Sequence, residues 1–274
     1  MLITNLNLTN YRSYTNLDLP LTNGISIFVG KNGEGKTNIA ESILYLTFLN
    51  SHRASSNTPL VKLGNTSAYI RAKVKYPERE ILVELEINSE KANRAKVNQN
   101  PVRSQKEIFG IVQSIYFSPE DLDIVRGDPA ERRRFIDQLL TLRSPRIAAV
   151  ISDYERAVRQ RNSLLKSRAN NDALAPWDKQ VSELGGELIA LRIGVLKEIQ
   201  PIFNNVYKEI SATKPAEILY KSSIDSPTDI ASENSQKILE KLLANRGAEI
   251  ERGLTLCGPH RDDLILMLGD HQVK

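Results

Sequence analysis

The chain has 274 residues, of which 37 are Lys or Arg and 33 are Asp or Glu, a formal charge of +4. A chain of this length buries a full core and suits two lobes better than one. The mild basic excess permits a polyanionic partner, and the single cysteine, Cys257, excludes an internal disulfide or a cysteine-built metal site. His52, His260 and His271 have no metal-ligand spacing. The first residues, MLITNLNLTNYRSY, lack the basic and apolar regions of a signal peptide, and no apolar run approaches the ~18 residues that span a bilayer. The expectation is a cytoplasmic protein without a membrane anchor.

Residues 2–8 and 17–21 alternate like half-buried strands, joined by the turn Asn10-Tyr11-Arg12-Ser13-Tyr14. Ile25, Ile27, Phe28 and Val29 then predict a buried strand that runs into GKNGEGKT and a helix from Asn38. Gly30, Gly35, Lys36 and Thr37 satisfy G-x-x-x-x-G-K-[ST], with Gly33 as a third glycine. Such a loop presents main-chain N–H groups at a helix N-terminus, where orphan donors and the helix dipole both favour anions. Residues 30–38 (Gly30, Lys31, Asn32, Gly33, Glu34, Gly35, Lys36, Thr37, Asn38) are therefore the candidate polyphosphate site. Lys36 would reach the β- and γ-phosphates of ATP, and the Thr37 hydroxyl would ligate Mg²⁺.

Further on, residues 68–74 and 81–87 predict a hairpin, residues 88–106 a turn with a short strand, and Ser114-Ile115-Tyr116-Phe117 another buried strand. Asp128-Pro129-Ala130-Glu131 is a strong helix start. Helices are expected over about 130–140, 145–168, 177–210 (kinked or divided at Pro201) and 234–245, with a strand at 217–220. Residues 253–267 predict strand, tight turn and strand, returning to the first sheet. The fold class is α/β, a mixed sheet with helices, with a mainly helical insert. Its divisions are 1–120 for lobe I with the phosphate loop, 121–250 for the helical lobe II, and 251–274 for return strands to lobe I.

Arg132, Arg133 and Arg134 invite DNA phosphate contacts, as do Arg156 and Arg159; the plainer reading of each is a solvated face or a local ion pair. Gly258-Pro259-His260-Arg261-Asp262-Asp263 reads as a pinned turn, or a lobe junction or DNA-facing segment ordered by a His260–Asp pair. No Ser-His-Asp or Cys-His arrangement can be argued.

In order along the chain, NYRSY (10–14), VGKNGEGKTNIAESI (29–43), SHR (51–53), FSPEDLDIVRGDPAERRRFID (117–137), YERAVRQRNSLLK (154–166) and GPHRDD (258–263) resemble the RecF family of bacterial recombination mediators, relatives of the SMC ATPases. The resemblance implies a P-loop ABC-type ATPase head with an inserted helical lobe, and an ATP-dependent homodimer that holds DNA, both duplex and single-strand junctions. It also implies RecR and RecO as partners, and roles in gap repair, replication restart and the SOS response. It places Arg12 beside the nucleotide phosphates. Ser51-His52-Arg53 would line the nucleotide or the DNA, or form a solvated loop. The family's serine-glycine signature, Walker B strand and D-loop have no counterpart before Lys274; Ile265–Asp270 offers one acid where two are needed. The expectation is a shortened head with no catalytic residue of its own, whose weak DNA-stimulated hydrolysis belongs to the full-length dimer. A small-molecule or nucleotide kinase and a nucleotide-independent repair scaffold are the alternative readings.

Overall fold

A computed structural model describes residues 1–51, 53–54, 56–211 and 214–273, with the backbone alone at 106, 120 and 145. The chain divides into two compact units, residues 1–117 with 141–145, and residues 118–140 with 146–274.

The first unit is built on a six-stranded antiparallel sheet in the order β2-β1-β3-β4-β5-β6. Its strands are β1 (Leu2–Tyr11), β2 (Tyr14–Pro20), β3 (Ser67–Lys75), β4 (Glu80–Asn88), β5 (Arg94–Val97) and β6 (Asn100–Pro101). Period-two alternation sets which face is buried. Leu6 and Leu8 of β1, Ala68, Ile70, Ala72 and Val74 of β3, and Val83, Leu85 and Ile87 of β4 all point into one core. Helix α1 (Lys36–Phe48) lays Ile39, Tyr45 and Leu46 on that face. The opposite face is polar, with Tyr69 paired across to Glu86 and Arg71 to Glu84.

Two expected strands are not formed. Residues 25–29 and 114–117 pair with no strand among the described residues, and Ile25, Val29, Ile115 and Phe117 are almost fully exposed. Apolar β-branched residues confer the capacity for a buried strand, but a strand exists only against a neighbour that takes its N–H and C=O groups. The sheet ends at β2 and β6, and neither edge accepts these segments.

The second unit contains the short α2 (Asp123–Arg126), most of α3 (Pro129–Arg143), α4 (Pro145–Lys166), α5 (Asn171–Ile210), α6 (Ala231–Ala244) and α7 (Arg246–Arg252). Helix α5 starts earlier than its apolar pattern suggests, because the Asn170 side chain accepts the Ala173 N–H and caps it; Pro176 and Pro201 both lie inside it. A small sheet, β7-β8-β9, closes this unit: β7 (Ala216–Lys221), β8 (Asp263–Leu268) and β9 (His271–Gln272). The expected strand near 254–257 is absent, and β8 pairs antiparallel with β7 rather than returning to the first sheet. No helix among the described residues is long and apolar enough to cross a membrane.

Candidate functional site: a phosphate loop with an arginine pair

Helix α1 opens without a side-chain cap. Its N-cap, Gly35, sits at φ 93°, and a Cβ there would lie 2.5 Å from the Ser13 hydroxyl, so only glycine lets the β1–β2 turn approach this closely. Thr37 is exposed at the first turn. The bare amides, the dipole and Lys36 form a cradle for an anion.

That cradle is occupied by the protein's own groups. The Lys31 N–H donates to Glu34 Oε2 at 2.9 Å, and a Cβ on Gly30 would run into the same carboxylate. Lys36 Nζ turns back to the carbonyls of Gly30 (2.7 Å) and Lys31 (2.6 Å). A carboxylate drawn into the loop is what donors arranged for anions would do. The loop chemistry therefore fits a polyphosphate with Mg²⁺, provided Glu34 and Lys36 are released.

Around α1 the site is extended by side chains from two other segments. Arg12 stands at φ 53°, in the left-handed region, and donates through Nε and Nη2 to both oxygens of Glu41, at 3.0 and 2.5 Å. Its Nη1 donates to the Pro59 carbonyl at 3.0 Å. Arg53 donates to Asn38 Oδ1 at 3.4 Å, and Asn38 Nδ2 donates to Ser13 at 3.1 Å. Arg12, Arg53 and Asn38 are thus brought together with the loop, while His52 lies outside the described residues. Burial pushes the Tyr11 hydroxyl's pKa well up, and the Glu41 carboxylate adds to the effect.

The DNA candidates lie in the second unit with different attachments. Arg132 donates to both oxygens of Asp263 (2.7 and 3.1 Å) and to the Gly127 carbonyl, and Arg133 donates to the Asp262 carbonyl at 2.7 Å. These two guanidinium groups hold the α3 start against the 258–263 turn. Arg134 pairs with Glu131, Arg156 with Asp153 and Arg159 with Glu155, all half or more exposed on the arginine side.

The GPHRDD turn is internal to this unit. Asp262 accepts from Tyr220 (2.6 Å), Ser222 (3.1 Å) and the Ser223 N–H (2.6 Å). Arg192 joins Asp137 to the Pro259 carbonyl. Tyr154 and His260 Nδ1 are 2.6 Å apart, and burial pulls the His260 pKa down to about 4. The pinned-turn reading holds here, with Tyr154, not an aspartate, as the histidine's partner.

Sequence reasoning missed Glu41 as a site residue, although an acid among the apolar positions of α1, next to turns carrying Arg12 and Arg53, was a visible signal. It also missed a cleft of about 990 Å³ on the polar sheet face, where Arg71, Lys91, Arg94, Lys96 and Arg103 outnumber Glu84 and Glu86. Alternation along β3 and β5 puts several of those cations on one face.

A strand-edged sheet, a Walker-type loop and a helical second unit define a P-loop ATPase head. An AAA-domain family model matches residues 5–252. The DNA replication and repair protein RecF of Streptomyces avermitilis is 42% identical over 285 aligned residues, spanning 100% of this chain and 76% of that protein. Two solved structures agree: RecF with ATPrS, at TM-score 0.93 and 25% identity over 99% of this chain and 74% of that one, and RecF with ATP, at TM-score 0.90 and 26% identity over 99% and 75%. The chain belongs to the RecF family of AAA-domain DNA replication and repair proteins.

Proposed function

We propose that this chain binds ATP with Mg²⁺ as the head of a DNA-repair protein, and that the bound triphosphate switches it between forms with weak and strong affinity for DNA. The observation that carries this reading is the uncapped N-terminus of α1, with Lys36 on the loop and Thr37 exposed beside it. Mg²⁺, held by Thr37 and the nucleotide, would neutralise phosphate charge. Lys36 and the loop amides would grip the phosphates once Glu34 gives way. Arg12, Arg53, Lys31 and Lys36 against Glu34 and Glu41 leave two positive charges in excess, suited to a nucleotide polyanion.

The triphosphate would complete an interface with a second copy, and the doubled surface would take duplex DNA and single-strand junctions before RecR and RecO are recruited in the cytoplasm. Exposed Arg134, Arg156 and Arg159, and the basic cleft on the β3–β5 face, are the cations we assign to DNA phosphates. Asp270 follows β8, which pairs with β7 inside the second unit.

Titration with MgATP and with duplex DNA in the presence and absence of ATP tests the reading, with Lys36→Ala as control. The expected result is ATP-enhanced DNA binding that Lys36→Ala abolishes. Equal DNA affinity in all three states would refute the switch.

A further inference from the structure

Glu41 is an acid where the fold has little reason to put one. It lies on α1 with its side chain fully covered, among Ile39, Leu44 and Tyr45 of the same helix. A carboxylate removed from water costs several kcal/mol unless it is fully matched. Here it is matched from two separate segments. Arg12, in the β1–β2 turn, gives it a two-pronged bond at 3.0 and 2.5 Å. From the loop after α1, Ser51 donates to Oε1 at 2.5 Å, and the Arg53 guanidinium stands 3.8 Å from Oε2. Burial alone would raise the Glu41 pKa, yet hydrogen bonds from Arg12 and Ser51 and the charges of Arg12 and Arg53 bring it below the usual carboxylate value.

The two arginines that share this anchor both border the phosphate loop. Ser13, next to Arg12, packs on Gly35 and receives the Asn38 amide, and Arg53 donates to the Asn38 carbonyl oxygen. Neither guanidinium is used up: Arg12 keeps 17% of its side chain exposed and Arg53 keeps 41%. Arg12 is also held in a left-handed backbone conformation, which is strained for a non-glycine residue and persists where the surrounding structure requires it.

We propose that Glu41 is a positioning residue: it ties Arg12 and Arg53 to the first turns of α1 so that the two guanidinium groups together read the terminal phosphate of the nucleotide in the loop. The proposal rests on the reading that the loop holds ATP. The loop amides grip phosphates common to ATP and ADP and Lys36 spans the β- and γ-phosphates, whereas the arginine pair is aimed at the terminal one alone. A fork anchored through a carboxylate presents its remaining N–H groups in a fixed direction, which a lysine or an unanchored arginine does not.

The experiment is calorimetric titration of the chain with MgATP and, separately, MgADP, for wild type, Glu41→Gln, Glu41→Asp and Arg53→Ala, with a thermal melt of each. Removing one charge-assisted bond to the terminal phosphate predicts that Glu41→Gln weakens ATP binding about tenfold and ADP binding less than about threefold. Glu41→Asp restores part of the preference, and Arg53→Ala, changed at a half-exposed side chain, shifts the ratio the same way. A purely structural staple would instead weaken both nucleotides equally or lower only the melting temperature. That outcome, or an unchanged ATP to ADP ratio, overturns the proposal, and if Glu41→Gln does not fold, Arg53→Ala decides alone. Wild-type protein that binds neither nucleotide defeats the parent reading and this one with it; wild-type binding with an unmoved ratio defeats this one only.

Discussion

The main-chain N–H of Lys31 donates to the Glu34 carboxylate at 2.9 Å, so a negative group of the protein sits inside the loop that is shaped to take one. Any phosphate entering must displace it and free Lys36 from the Gly30 and Lys31 carbonyls. Replacing Glu34 with Gln keeps the shape and removes the competing charge. The contact is solvent-exposed, where such charges are worth a fraction of a kcal/mol, so inorganic pyrophosphate and MgATP should bind about two- to fivefold more tightly to Glu34→Gln. Competition titration against a fluorescent nucleotide reads this directly, and weaker binding by the variant would show that the carboxylate helps rather than obstructs.

How far the chain could be read in advance depends on whether a residue's partner is near in sequence. The β3–β4 hairpin was legible because Ile70, Ala72, Val83 and Leu85 alternate on one face around a short turn. The α3 start was legible because Asp128-Pro129 is local helix chemistry. Residues 25–29 and 114–117 show the same apolar character, yet their strands do not form, since pairing depends on a neighbour no local pattern can supply. Strand β8 was expected back in the first sheet and instead found β7, more than 40 residues upstream. The same limit applies to the site. The loop announced itself by spacing alone, but Arg132 looked like a free surface charge because its partner, Asp263, is 131 residues away.

Arg161 is fully buried, and its guanidinium bonds to Asp178 at 2.8 Å, Thr255 at 2.9 Å and Glu249 at 2.6 Å, tying α4, α5 and α7 together. Removing one member leaves an unmatched buried charge. Arg161→Met and Glu249→Gln should each cost roughly 3–5 kcal/mol, far more than an exposed pair. Urea unfolding followed by circular dichroism measures it. A cost below about 1 kcal/mol would mean that water reaches the cluster and takes the place of the missing partner.

Acid should loosen the second unit through His260. The ring accepts the Tyr154 hydroxyl at Nδ1 and donates from Nε2 to the Thr255 carbonyl at 3.1 Å, an arrangement that suits the neutral form. Its folded pKa, pulled down to about 4 chiefly by burial, lies below the ordinary 6.5 of the unfolded chain. Between those values the unfolded state binds the extra proton, so stability is full above pH 6.5 and is lost as the pH falls toward 4, by up to roughly 3 kcal/mol. Melting curves from pH 7.5 to 4.5 on wild type and His260→Gln should therefore converge at low pH as the wild type loses its advantage. Parallel curves would locate the acid sensitivity in other groups.

The arginines of the second unit separate into two kinds, and DNA binding should respect the division. Among the described residues, Arg134, Arg156 and Arg159 make local pairs three or four residues apart on their helices, worth about 0.3–0.5 kcal/mol each, and can exchange Glu131, Asp153 and Glu155 for phosphates at little cost. Each DNA phosphate left without its cation lowers the slope of log affinity against log salt by about 0.9. The triple change of Arg134, Arg156 and Arg159 to Gln should therefore flatten that slope by up to about 3 for duplex DNA with ATP present, with a drop of only a few degrees in the melting temperature. Arg132→Gln should do the reverse: it strands Asp263 and the Gly127 carbonyl, lowers the melting temperature, and leaves the salt slope of the surviving folded protein unchanged. A triple variant with the wild-type slope would move the DNA contacts off these helices, and the basic side chains of the β3–β5 cleft, Arg94 and Lys96 first, would be the next to neutralise.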